Sequence, residues 1–340
     1  MVSWLVIIAA LVAFTALVVT LMDRVYLGVA GCYVLVTGCD SGFGNILAKY
    51  LGPKRGCHVI ACCLTRAGME DVMSGAPKGT VTAIQMDVTD TKSILQAREE
   101  VVRIVAGKGL WGLVNNAGVT GNIGPIHWHK KCEIQRILDV NLMGTIEVTN
   151  VFFPLIRQGR GRIVNVSSAL ALLPAMVGGY SISKIGVEAF SDTMRTSSKA
   201  FGVTVHILEP GYFKTNITSV DVIMASAERM WKRLPPQERD IYGQEYFDTL
   251  KEKVTLQLLK SSPKLHLVTD AMEHALCARW PWRRYMPGND VKLLHKPLSM
   301  VPAAVTDFIS GLLVFRKLPV AQPRPNVTVT FAADSNDDES

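Results

Sequence analysis

The stretch Tyr33–Leu51, YVLVTGCDSGFGNILAKYL, decides the fold. Tyr33–Thr37 is a short apolar run, the pattern of a parallel strand covered on both faces. Gly38, Gly42 and Gly44 follow, and then Ile46, Leu47, Tyr50 and Leu51 repeat at helical spacing. Glycines between a strand and a helix let the backbone bend sharply and let a pyrophosphate approach the helix N-terminus. Glycine alone marks any turn. The strand before it and the helix after it supply the context such a loop requires.

A second stretch, Gly161–Phe190, GRIVNVSSALALLPAMVGGYSISKIGVEAF, reads as a strand at Arg162–Ser167, a loop, and a helix. Tyr180 and Lys184, four apart, share one face of that helix. Ser167 and Ser168 close the strand. Hydroxyl, phenol and ammonium near one point suit proton transfer at a carbinol oxygen while a cofactor carries hydride. A free phenol titrates at about 10, and a nearby ammonium favours its ionised form. Lys184 is thereby expected to make Tyr180 a usable base. On an arbitrary helix the pair would be surface decoration; the glycine loop upstream gives it weight.

In chain order, TGxxxGxG, Asn115-Asn116-Ala117-Gly118, Asn141, Ser168, Tyr180-x-x-x-Lys184 and Pro210-Gly211 resemble the short-chain dehydrogenase/reductase family. The likeness covers residues 30–290. TGCDSGFGN, GLWGLVNNAGV, VGGYSISKIGVEAFSD and EPGYFKTNIT resemble its retinol and hydroxysteroid dehydrogenase branch. The resemblance implies a catalytic set of Tyr180, Lys184, Ser168 and Asn141, with Ser168 meeting the substrate and Asn141 holding a water for proton relay. It implies cofactor contacts from Gly38, Cys39, Asp40, Ser41, Gly42, Phe43, Gly44, Asp87, Asn115, Ala117, Tyr180, Lys184 and Thr215. Ser168 is preferred to Ser167 on the alignment of VNVSS with VGGY. Asp87 has a second reading as a helix cap, because Thr89-Asp90 follow it.

From Tyr33 onward, strands expected at Tyr33–Thr37, His58–Leu64, Val81–Asp87, Leu110–Asn115, Arg162–Ser167 and Val203–Glu209 alternate with helices. The helices are expected at Gly44–Leu51, Lys92–Ala106, Lys131–Ile156, Gly179–Phe201 and as a pair within Ala225–Leu259. That alternation is an α/β pattern, a Rossmann-type doubly wound parallel sheet in a single catalytic domain. The Met and aromatic stripe Met224, Met230, Trp231, Leu234, Tyr242, Tyr246 and Phe247 follows the Pro210-Gly211 loop. There it is expected either as core or as a lid over an apolar substrate.

Val2–Met22 is apolar but for Ser3, Thr15 and Thr20. As a helix it is about 31 Å long, against a hydrocarbon core of roughly 30 Å. It carries no basic n-region, so a retained N-terminal membrane anchor, residues 1–22, is expected over a cleaved signal. Leu298–Val314, broken by Pro302 and Asp307, lies within an apolar C-terminal segment, 291–317, suited to a membrane surface or a pocket cover. Residues 318–340 read as a disordered tail. The expected location is the endoplasmic reticulum membrane, with the mitochondrial membrane as the alternative.

The formal net charge of +7 is scattered, with no basic arm, which excludes a nucleic-acid partner. Seven cysteines without ligand spacing read as free thiols. Cys39, inside the glycine loop, is expected to block cofactor binding when alkylated. His127-Trp128-His129 lacks a third ligand, so no metal is expected; the triplet reads as solvent-facing or pocket rim. The second strand ends Cys62-Cys63-Leu64-Thr65, without the acid that often selects NAD. Asp40 would repel the extra phosphate of NADP, so NAD is expected, with Arg66 leaving NADP open. The activity expected is NAD-dependent, reversible oxidation of an apolar alcohol, a retinol or hydroxysteroid, by a chain pairing as a homodimer. The alternatives are a dehydrogenase of a small hydroxy acid of the hydroxybutyrate type, and a catalytically silent membrane scaffold.

Overall fold

The computed structural model describes residues 2–174 and 177–314 of the chain. Seven strands, β1 Tyr33–Thr37, β2 His58–Cys63, β3 Val81–Gln85, β4 Gly112–Asn115, β5 Arg162–Val166, β6 Thr204–Leu208 and β7 Arg284–Tyr285, form one sheet. Its order is β3-β2-β1-β4-β5-β6-β7, and every pairing is parallel. The strand order reverses between β1 and β4, the point where open parallel sheets leave a crevice at their carboxyl ends. β7, two residues long, was invisible to a periodicity reading.

The helices are α1 Val2–Met22, α2 Gly42–Arg55, α3 Arg66–Ser74, α4 Thr91–Val105, α5 Lys131–Leu138, α6 Gly144–Gln158, α7 Ala169–Leu172 and α8 Gly178–Ser198. They continue with α9 Val220–Arg233, α10 Pro236–Tyr242, α11 Gln244–Leu259, α12 His266–Cys277, α13 Lys296–Leu298 and α14 Ala303–Val314. α3 and α12 were not expected. Both are short, and their packed faces show only against the sheet.

Side chains alternate along each strand and feed two cores. Val34, Val36, Val59, Val114 and Val164 meet Leu47 and Leu51 of α2 and Val268, Met272 and Leu276 of α12. On the other face Leu35, Ile60, Leu113 and Ile163 meet Ile94 and Val101 of α4 and Val148, Phe152 and Ile156 of α6. Unbroken apolar strands are the consequence of covering both faces. The seven cysteines are free thiols.

Of the two readings of the aromatic stripe, core and lid, the structure bears out the core. Trp128, Met230, Trp231, Tyr246 and Phe247 bury one another in a separate small core, and Trp231 stacks on Phe247 with ring centres 4.7 Å apart. His127, beside it, hydrogen-bonds the Tyr242 hydroxyl at 2.6 Å. Trp128 is thus interior to this small core rather than a rim residue.

Over the described residues, no helix is long and apolar enough to cross a membrane. In α1 the described side chains run without a break only from Val6. The tail assigned to 318–340 lies outside the described residues.

The third loop glycine joins the two halves of this turn. A methyl at Gly44 would stand 2.5 Å from the Asn116 side-chain nitrogen and 2.6 Å from the Gly38 carbonyl oxygen. Such overpacking costs about 1–3 kcal/mol. Gly44→Ala is expected to lower the melting midpoint by several degrees in a circular-dichroism melt; an unchanged midpoint would refute this tight joint.

Candidate active site

A cleft of about 620 Å³ runs along the carboxyl ends of the central strands. At one end the glycine loop shapes it. Gly38 and Gly42 have φ of 68° and 64°, a left-handed backbone that other residues adopt at a cost. A Cβ at Gly38 would lie 2.7 Å from the Ala117 Cα. The Asn116 side chain donates to the carbonyls of Thr37 and Gly38 at 3.0 and 3.1 Å, and that of Asn45 to Cys39 at 3.0 Å. Ser41 precedes α2 without capping it through its side chain. The first-turn N–H groups are left for an anion.

Asp40 reaches from this loop to the end of β2. Its carboxylate accepts from the backbone N–H of Leu64 and of Thr65, at 2.8 and 2.9 Å, and from the Thr65 hydroxyl at 2.7 Å. A carboxylate therefore stands at the end of β2 although β2 contributes none. Asp87 lines the cleft nearby, its Oδ1 accepting from the Thr89 N–H and hydroxyl. The cap of α4 is Asp90, so the capping alternative for Asp87 is set aside.

At the other end stand Ser168, Tyr180 and Lys184. Ser168 caps α7, accepting from the Leu170 N–H at 3.2 Å, and its hydroxyl hydrogen-bonds Tyr180. Ser167 turns away: its hydroxyl donates to Glu188 Oε1 at 2.9 Å. Lys184 is buried, donates to the Val166 carbonyl of β5 at 2.8 Å, and lies 5.6 Å from the Tyr180 ring centre. Burial pushes its pKa down to about 8. Burial raises that of Tyr180, and the hydrogen bond with Ser168 opposes the rise. Of the groups around the phenol, Ser168 is the one that opposes the rise, so the lowering expected of Lys184 does not show in the Tyr180 pKa.

Four expected cofactor or catalytic residues do not line the cleft. Cys39 is fully buried, donates from Sγ to the Val36 carbonyl at 3.2 Å, and burial pushes its thiol pKa well up. The expectation that alkylating it blocks the site is corrected, since a reagent has neither access nor a thiolate. Gly44 lies beneath the loop. Asn115 ties β4 to β5 and α6, donating to Asn165 at 2.8 Å and Thr149 at 2.9 Å; Asn116 lines the cleft in its place. Asn141 is fully buried in a π turn, Asp139–Met143, that joins α5 to α6. Its amide exchanges hydrogen bonds with the Val119 backbone and donates to Ser183 at 2.9 Å. Ser183 in turn donates to the Tyr180 carbonyl at 2.6 Å. Asn141 therefore braces the backbone of Tyr180 from behind.

The short chain dehydrogenase family model matches residues 33–223. This chain belongs to that family. Retinol dehydrogenase 7 of Rattus norvegicus is 44% identical over 277 residues, covering 82% of this chain and 87% of the relative. The 17-beta-hydroxysteroid dehydrogenase type 6 of Homo sapiens is 45% identical over 277 residues, with the same coverage of 82% and 87%. Among solved structures, a short-chain dehydrogenase from Streptomyces avermitilis aligns with a TM-score of 0.64 at 26% identity, covering 83% of this chain and 97% of that one. A Burkholderia cenocepacia short chain dehydrogenase in complex with NADP shares the fold, with a TM-score of 0.61 at 22% identity over 85% of this chain and 99% of that one.

The chain is thus an oxidoreductase, and its cleft fits a nicotinamide dinucleotide. Positive-φ glycines, uncapped N–H groups at α2 and the Asp40 carboxylate form a cradle, and a side chain at Gly38 would collide with Ala117 beneath it. Thr215 faces Gly42 across this cradle. Sequence reading missed Asp290. Its carboxylate accepts from the Tyr212 N–H at 2.8 Å, and a Cβ at Gly211 would fall 2.1 Å from it, so it clamps the Pro210-Gly211 loop from 78 residues away. No local pattern signals such a contact.

The buried ammonium makes a pH prediction. Lys184 titrates at about 8 in the folded dehydrogenase against 10.5 ordinarily. Between those values the unfolded chain holds a proton that the folded chain lacks, so this residue's contribution to stability rises with pH. Denaturant midpoints of the wild type are expected to rise from pH 8 to pH 10 relative to Lys184→Met. Parallel curves would show the ammonium is not desolvated.

Proposed function

We propose that the dehydrogenase interconverts the hydroxyl and carbonyl of an apolar alcohol, a retinoid or a hydroxysteroid, with NAD as its partner. The meeting of Ser168, Tyr180 and Lys184 at one end of a dinucleotide-shaped cleft carries the proposal. The glycine loop, Asp40 and Thr215 would hold a nicotinamide dinucleotide, which when bound would supply the hydride chemistry. Ser168 orients the substrate oxygen and hydrogen-bonds Tyr180. A neutral Tyr180 hands its proton to a carbonyl oxygen in reduction; in oxidation its phenolate takes the carbinol proton. Lys184 places a positive charge one helical turn away, with Asn141 and Ser183 holding the backbone between them.

The relatives named for retinol and for 17-beta-hydroxysteroid support the substrate class. NAD is supported by Asp40, whose carboxylate at the end of β2 would repel an added phosphate. We further read Val2–Met22 as the anchor holding the enzyme on the endoplasmic reticulum membrane, on the strength of its sequence alone, which is apolar but for Ser3, Thr15 and Thr20.

Tyr180→Phe is expected to reduce kcat about 10³-fold while dinucleotide binding, read by fluorescence titration, persists. Full turnover by this variant would end the mechanism. A panel of retinols, hydroxysteroids and 3-hydroxybutyrate, run on membranes with each dinucleotide, tests the substrate class. Turnover of the acid alone would establish the rival enzyme, and stabilisation by dinucleotide with no turnover would establish a silent scaffold.

Removing the Asp40 charge should relax cofactor choice. Asp40→Asn is expected to shrink the NAD-over-NADP ratio of kcat/KM by about tenfold, equivalent to about 1.4 kcal/mol. An unchanged ratio would place the selectivity elsewhere.

A further inference from the structure

The chain that leaves α1 is fastened to the far end of α12. The Leu27 N–H donates to the Cys277 carbonyl at 2.7 Å, the Arg279 N–H to the Val25 carbonyl at 2.8 Å, and Tyr26 and Ala278 form an antiparallel bridge. Side chains lock the same joint. Trp282 Nε1 donates to Asp23 Oδ1 at 3.0 Å, and His274 hydrogen-bonds the Asp23 carbonyl at 3.2 Å. The Arg55 guanidinium lies 3.6 Å over the Tyr26 ring and is itself paired with buried Glu273. These contacts set where α1 departs from the catalytic domain.

The surface around that exit has a distinctive composition. Trp280 and Trp282 are each 48% exposed, flanked by exposed Arg24, Arg279 and Arg283. None of them lines the cleft. Indoles left half in water lose favourable burial, and three arginines crowd positive charge. Both costs vanish at one kind of surface. Indole rings favour the depth of lipid headgroups, and arginines there attract anionic lipid.

We propose that the Trp280–Arg283 edge seats in the anionic headgroup layer of the bilayer that holds α1; this rests on reading α1 as the membrane anchor. Asp23 ends the apolar helix, and Trp282 is bonded to Asp23, so the indole stands at the depth where the helix meets water. The joint lies at the amino ends of the strands, since α12 runs back along the sheet and Trp111, just before β4, donates from Nε1 to the Leu276 carbonyl at 2.8 Å. The cleft, at the carboxyl ends, opens away from the headgroups toward the water that carries the dinucleotide.

The test uses the full chain in vesicles of phosphatidylcholine, with or without phosphatidylserine, carrying lipids brominated near the headgroup. Wild type is compared with the double variant Trp280→Phe, Trp282→Phe, whose rings keep the local packing and whose turnover certifies its fold. Alkaline carbonate washing of the same vesicles reads the anchor separately. The expected result is retention after washing, with shallow-bromine quenching in the wild type at least twofold that of the variant. Arg279→Glu with Arg283→Glu should abolish any gain in quenching from phosphatidylserine. Retention with equal quenching in wild type and double variant overturns the seating while leaving the anchor intact. Release by carbonate overturns the anchor reading and the seating with it.

Discussion

The site depends on one buried cation. Lys184 is a charged amine placed at the junction of β5, the turn at Gly118 and α8, where little water reaches it. Its single protein hydrogen bond shown here goes to a main-chain carbonyl, that of Val166. A carbonyl dipole recovers only part of the hydration a lysine loses, which is why its proton is held less firmly than in water. That placement gives a positive potential close to Tyr180 without a neutralising carboxylate.

The surrounding polar residues fall into three connected sets, in which, among the described residues, Asn115 Oδ1 and Glu209 Oε2 alone lack a partner. Behind α8, Asn115, Asn165 and Ser191 form one chain of hydrogen bonds, with Thr149 joining it. Asn141 and Ser183 form another, ending on the carbonyl of Tyr180. On the opposite side, Ser167 is held by Glu188, and Arg284 binds Glu188, Asp192 and the fully buried Glu209. Burial, with Glu188 beside it, raises the Glu209 pKa, while Arg284 opposes the rise. Glu209 leads directly into Pro210-Gly211, so this ion cluster and Asp290 together grip the loop that closes the cleft. Buried networks of this kind are costly when partly satisfied and specify a single arrangement when complete. Here they convert a flexible loop and a helix start into fixed walls.

Much of this was legible in one dimension. Six strands, the glycine turn and the Ser168–Tyr180–Lys184 constellation are local patterns: apolar runs of strand length, glycines between strand and helix, and residues one helical turn apart. Each depends on spacing within a few residues, and spacing is what a sequence records. The readings that failed were those needing a partner from elsewhere. Cys39 stands inside a functional motif yet faces the core, because the loop bends its thiol back onto Val36. The Met and aromatic stripe stayed open between core and lid, and only Trp128, arriving from a distant turn to fill its centre, makes it core. β7 is too short to show any periodicity and exists only because β6 offers it an edge.

The sequence by itself determined the alternation of strands and helices, the turn that admits a dinucleotide, and which hydroxyl, phenol and amine belong together, since these follow from backbone sterics and helical geometry over short distances. Only the tertiary structure decided how those groups are tuned: that burial moves the Lys184 and Tyr180 pKa values, that Asp40 supplies the carboxylate β2 lacks, and that Asp290 holds a loop far upstream. Burial and long-range hydrogen bonds set those outcomes, and both are properties of what surrounds a residue once the chain has closed on itself.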